Sequence, residues 1–215
     1  MNKDRGFIFF VVALFLLSFF LVLKDSYASV FSNGSHCVAY IAKKRMFLIR
    51  TVEVIGKNCE VVSQVVPDIG GYFSYKLEIP IENFESGEAE RDKDVRKLLK
   101  AKKQSSIYFV TDKMTREEWQ AIINSEQSVK VKGQLNIAGS NYPVSASVKL
   151  IKSDSGIEAE GIIKTQFKDL GLKPPELFGG VMAKVKEELV LEFHLQSDKT
   201  LGFDSLTKSE SLAFE

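Results

Sequence analysis

The chain is poor in the side chains that most often act as bases, nucleophiles and metal ligands. It has two histidines, His36 and His194, and two cysteines, Cys37 and Cys59. No C-x-x-C or C-x-x-C-H occurs, and His36 beside Cys37 with a distant His194 does not make a zinc set, so no metal site is expected. His194 alternates with Val190 on what reads as the wet face of a strand, which leaves general acid–base chemistry poorly supplied. The pair Glu117–Glu118 falls on a solvated helix. These observations argue against an enzyme. The cysteine pair has a plainer reading. In an exported protein Cys37 and Cys59 are candidates for a disulfide, with two buried thiols as the alternative.

One further constellation stands out. In "IENFESGEAERDKDVRKLL", Ile81 to Leu99, a strand gives way to a Ser86–Gly87 turn, and Arg91–Asp92 follows as a helix begins. Asp92 there complements the unpaired N–H groups and dipole of the helix start. Arg91 then pairs with a loop carboxylate or carbonyl.

The elements that must position these residues are mostly strands. In "YFSYKLEIPI", Phe73, Tyr75, Leu77, Ile79 and Ile81 share one side. The same period of two places Val129, Val131, Gly133, Leu135 and Ile137 together, then Val144, Ala146, Val148 and Leu150. It recurs at Ile157, Ala159, Gly161 and Ile163, and at Leu189, Leu191, Phe193 and Leu195. Such alternation marks strands with one apolar and one wet face. Turn signals such as "AGSNYP" and "KSDSG" separate them, so the domain is mainly β, an antiparallel barrel or sandwich. Between Val38 and Val66 the alternation is imperfect and no face is assigned.

Two short α-helices are expected. The first spans Arg91 to Lys102, with Val95, Leu98 and Leu99 in a stripe. The second lies in "TREEWQAIINS", with Thr115 and Glu118 as a capping box and Trp119, Ile122 and Ile123 as the stripe. Small inward residues (Gly133, Ala146, Ala159, Gly161) suit either a tightly filled barrel or a hollow one.

The N-terminus carries an address. "FIFFVVALFLLSFFLVL", Phe7 to Leu23, is apolar apart from Ser18, and Ser26 and Ala28 stand where an A-x-A-like cleavage site requires small residues. Residues 1–28 therefore read as a signal peptide cut after Ala28, or as a retained anchor. The product is exported to the periplasm or beyond, with membrane contact only through residues 7–23 if they are kept. Without residues 1–28 the chain has 26 basic and 26 acidic side chains, no basis for nucleic-acid binding. The barrel domain is expected over 29–198, and 199–215 as a loose C-terminal tail.

"SGEAERD", then "GQLNIAGSNYPVSASVKL", "FKDLGLKPPELFGG" and a last strand "EELVLEFHL" form an ordered set that resembles the YceI-like family over about Val38 to Gln196. The chain departs from that pattern at Asp94 and Ala138, where the family commonly has histidine, and in the helix around Trp119, which looks like an insertion. The resemblance implies a lipocalin-like barrel of about eight strands that binds a polyisoprenoid or quinone-like lipid. Phe73, Tyr75, Leu77, Phe109, Leu135, Ala146, Val148, Ala159, Leu191 and Phe193 would line its interior, with Arg91 as the head-group candidate. The other reading is a non-catalytic interaction module of the cell envelope with a packed barrel. A homodimer stays open in both.

Overall fold

A computed structural model describes residues 29–46, 50–153, 156–177 and 183–207. The leader at 1–28 and the last part of the tail, 208–215, lie outside these. Twelve strands form one sheet. In chain order they are β1 (Cys37–Met46), β2 (Arg50–Asn58), β3 (Val62–Asp68), β4 (Tyr72–Pro80), β5 (Ser106–Thr111) and β6 (Met114–Thr115). Then come β7 (Val129–Ile137), β8 (Ser140–Ser153), β9 (Gly156–Gln166), β10 (Glu176–Leu177), β11 (Ala183–Gln196) and β12 (Thr200–Leu201). The expected eight or so are exceeded because β6, β10 and β12 are two-residue strands added to nine longer ones.

Neighbours along the sheet run β12-β3-β4-β5-β7-β8-β9-β11-β1-β2. Most pairs are antiparallel, as alternation with short turns demands; β12 with β3 is parallel. Among the described residues no ladder joins β2 to β12, so the sheet curls into an open barrel. The gap is crossed instead by polar links, beside a disulfide at its β1–β2 edge. The structure joins Cys37 to Cys59, at the start of β1 and just past β2. A loop of this length closed by a disulfide contributes about 3 kcal/mol. Beside it the fully buried Asn58 donates to the Pro80 carbonyl at 2.7 Å.

Among the described residues three α-helices accompany the sheet: α1 (Ala89–Leu98), α2 (Arg116–Ile123) and α3 (Asp204–Thr207). The first starts and stops earlier than the stripe predicts. Lys100, with φ 56°, is already left-handed and its ammonium donates to the Ala138 carbonyl at 3.0 Å. Ala138 is itself left-handed (φ 52°) in the two-residue turn it forms with Gly139 between β7 and β8. Such a turn needs positive φ at both central residues, and Lys100 and Gln104 hold it in place. At α2 both halves of the expected capping box are present: Thr115 Oγ1 accepts from Glu118 N–H, and the Glu118 carboxylate accepts from Thr115 N–H at 2.8 Å.

Two cores result. The larger holds Leu77, Ile79, Ile81, Phe84, Leu135 and Leu195 among others, and α1 closes on it through Leu98 and Leu99. The smaller lies at the other end, where Trp119 and Ile123 of α2 meet Val65, Phe73 and Leu206. Trp119 Nε1 donates to the Phe73 carbonyl at 3.2 Å, so the buried indole is satisfied. Leu206 is 0% exposed. Over 199–207 the tail is therefore not loose: β12 and α3 are bound in through Thr200 and Leu206, and burying an apolar side chain of that size offsets the ordering of a short segment.

Candidate functional site: an apolar cavity in an open barrel

Within the larger core the interior is not filled. A cavity of about 90 Å³ lies there, lined almost wholly by apolar groups. Its shape follows from where glycines face aromatic rings. Phe193 on β11 pairs directly with Gly161 on β9, and Tyr40 on β1 with Gly56 on β2. A Cβ added at Gly161 would fall inside the Phe193 ring, and one at Gly56 inside the Tyr40 ring. At Gly133 it would meet the Phe109 ring at 2.8 Å. Each glycine lets a ring lie flat against the barrel wall. The small inward residues at 133 and 161 thus seat rings, and the space those rings would otherwise occupy stays open. Tyr40, Leu191 and Phe193 accordingly remain only partly buried although they point inward.

Five of the ten expected lining residues are there: Leu77, Phe109, Leu135, Leu191 and Phe193. The other five are not. Phe73 sits under Trp119 in the smaller core. Ala146 is 0% exposed beside Val131, and Val148 pairs with Val129 further along the same ladder. Ala159 packs against the larger core. Tyr75 is partly buried, with its hydroxyl 3.3 Å from Thr200 Oγ1. All five share the inward face, but face alone does not say at what depth a cavity opens. Val38, Tyr40 and Phe84 line the cavity and were not anticipated. The signal for Val38 and Tyr40 was blurred because β1 buries both faces: Cys37, Ala39 and Ile41 on one, Val38 and Ala42 on the other.

Arg91 and Asp92 do not line the cavity. They clamp the loop that precedes α1. Asp92 Oδ1 accepts from Ser86 N–H at 3.0 Å and from Ser86 Oγ at 2.5 Å. Arg91 donates to the Ser86 carbonyl at 3.2 Å and pairs with Glu88. This is the loop-carboxylate arrangement rather than a free guanidinium at a mouth. The Tyr40 hydroxyl comes near the clamp. Burial, and then the Asp92 charge, push its pKa up, while Ser86 and Arg91 act the other way.

Neither histidine faces the cavity. His36 lies in the stitched seam. Gln196 N–H donates to its Nδ1 at 3.0 Å, so Nε2 carries the proton and meets Ser63 Oγ at 3.4 Å. Ser63, Thr200 and Tyr75 continue the chain, and Thr200 Oγ1 donates to the Gln196 carbonyl at 2.9 Å. Burial, then the nearby Lys199, hold the His36 pKa below 6.5, consistent with a neutral ring. His194 is 1% exposed, not wet. Its Nδ1 donates to the Ser35 carbonyl at 2.7 Å, and Nε2 faces Glu158 at 3.1 Å and Glu160 at 3.7 Å. The outer face of β11 is covered here by the segment that precedes β1.

An open, mostly antiparallel barrel with an apolar interior defines the class. The particular family follows from the sequence: a YceI-like domain model matches residues 43–197, and the chain belongs to that family. A comparison with curated proteins finds no match. Among solved structures, the chain is similar to the crystal structure of Burkholderia cenocepacia BcnA, with 17% identity and a TM-score of 0.55 over 74% of this chain and 93% of that one. It is also similar to a polyisoprenoid binding domain from Saccharophagus degradans implicated in plant cell wall breakdown, with 13% identity and a TM-score of 0.53 over 74% and 90%. At these identities the likeness is one of fold.

Proposed function

We propose that the chain is an exported, non-catalytic binding protein that shields a long apolar molecule of polyisoprenoid type inside its open barrel. The observation that carries this reading is the cavity itself, with Tyr40, Leu191 and Phe193 inward-facing yet partly unburied. Each methylene transferred from water gains about 0.8 kcal/mol, and no reacting group is needed. At about 90 Å³ the cavity is smaller than the ~300–1,000 Å³ of common ligand sites, so a long chain enters only as the open barrel widens around those side chains. The polyisoprenoid-binding domain with the same fold supports the choice of ligand class.

Export is supported by the leader pattern at 7–23 with Ser26 and Ala28 after it, and by the Cys37–Cys59 disulfide, which suits an oxidising compartment. The chain is cut after Ala28 and acts in the periplasm or outside the cell. Native mass spectrometry of the exported protein, followed by organic extraction, tests the binding reading. An apolar lipid released only on unfolding is expected. Protein that carries none and takes up no added polyprenyl alcohol would leave the packed interaction module as the function.

A further inference from the structure

Glu192 is a carboxylate in an unexpected place. It is 7% exposed on the outer face of β11, flanked by Ala39 of β1 and Ile162 of β9. A buried carboxylate costs several kcal/mol unless a cation or good donors meet it. One oxygen, Oε1, accepts from Ser29 Oγ at 2.7 Å and from Val30 N–H at 2.9 Å. Both donors are neutral, and both belong to the first two described residues.

The segment from Ser29 to His36 is strapped along this face at several points. Lys57 Nζ of β2 donates to the Val30 carbonyl at 2.6 Å and lies 5.6 Å from the Phe31 ring centroid. His194, two residues along β11, holds the Ser35 carbonyl. The strap is therefore fixed at both ends, and its leading residue, Ser29, is exposed.

We propose that Glu192 is the receptor for the chain's own amino terminus, created by cleavage between Ala28 and Ser29; this rests on the export reading above. Hydrolysis by a leader peptidase adds water across that peptide bond. Ala28 leaves as a carboxylate, and the Ser29 nitrogen takes up a proton as an α-ammonium. That nitrogen is one Cα–Cβ bond removed from the carbon that carries the hydroxyl already 2.7 Å from Glu192, which brings it to the ~4–6 Å over which an opposite charge favours the ionised form. Processing thus supplies the missing cation and locks the strap onto the barrel only after the leader is gone.

The test uses the full chain expressed in an exporting host and recovered from the periplasm. Amine labelling is followed across pH, and the labelled N-terminal peptide is read by mass spectrometry in wild type and in Glu192→Gln. A peptide that starts at Ser29 is expected, with its amine titrating about one unit above the ~7.7–8.0 of a free α-amine. Glu192→Gln should return it to that range. A mature terminus elsewhere would overturn the cleavage reading and the pairing with it. The Ser29 terminus with an ordinary titration in wild type, or a raised one that survives in Glu192→Gln, would overturn the pairing alone.

Discussion

Two regions of the barrel interior are built on different rules. At the α2 end, Trp119, Ile123 and Leu206 drop onto Phe73 and Val65 and leave these five side chains no more than 8% exposed. In the larger core, glycines at 56, 133 and 161 let aromatic rings lie back against the wall, and a cavity remains. The inward residues are apolar in both regions. What differs is whether something outside the sheet supplies the filling. A helix and a short tail do so at one end, whereas in the larger core the filling stops short of the space in front of the rings. Burial at the plug is a matter of stability, whereas incomplete burial at Tyr40, Leu191 and Phe193 leaves apolar surface for a ligand.

The comparison can be broken most forcefully at the plug. Trp119→Ala removes a buried ring and its hydrogen bond to Phe73, and should cost about 3–5 kcal/mol. Chemical denaturation gives the loss, and lipid content per folded chain should stay as in wild type. A parallel fall in lipid content would show that plug and cavity are one unit. Ala146→Phe comes next. Ala146 is 0% exposed and off the cavity, so the added ring has nowhere to go and should cost about 1–3 kcal/mol. Normal stability with lost lipid would place the cavity deeper than described.

Arg91→Ala sharpens the comparison by testing a third region. It removes one leg of the clamp on the Ser86 loop and should cost about 1 kcal/mol, read as a lower melting temperature with lipid still bound. Stability unchanged and lipid lost would make Arg91 a ligand residue after all. The smallest effect concerns His36. Its pKa is lowered by burial, so the unfolded chain binds a proton that the folded ring resists. Stability is full above pH 6.5 and declines as pH falls below it; a His36→Gln variant should flatten that slope.

Much of the interior was legible from the sequence because one-sided strands keep a strict period of two. The inward sets on β4, β7, β9 and β11 are those the alternation marks, and the Thr115–Glu118 box fixed the start of α2. Three things were not legible. Depth along the barrel has no periodic signature, so Ala146 and Leu191 looked equivalent. A strand buried on both faces, such as β1, loses its alternation, which hid Val38 and Tyr40. And Glu192 and His194 alternate outward just as solvated residues would. Their burial comes from a segment more than 150 residues away in the chain, which no local pattern records.

The most direct measurement of the central claim is the uptake of a fluorescent polyprenyl probe by wild type and by Leu191→Trp. Leu191 lines the cavity and is only partly buried. An indole there takes the open space without crowding the plug, so stability should hold within about 1 kcal/mol. Saturable uptake by wild type, lost or much weakened in Leu191→Trp at equal stability, is the expected result. Equal uptake by both proteins, or none by either, would contradict a binding site in the larger core of the barrel.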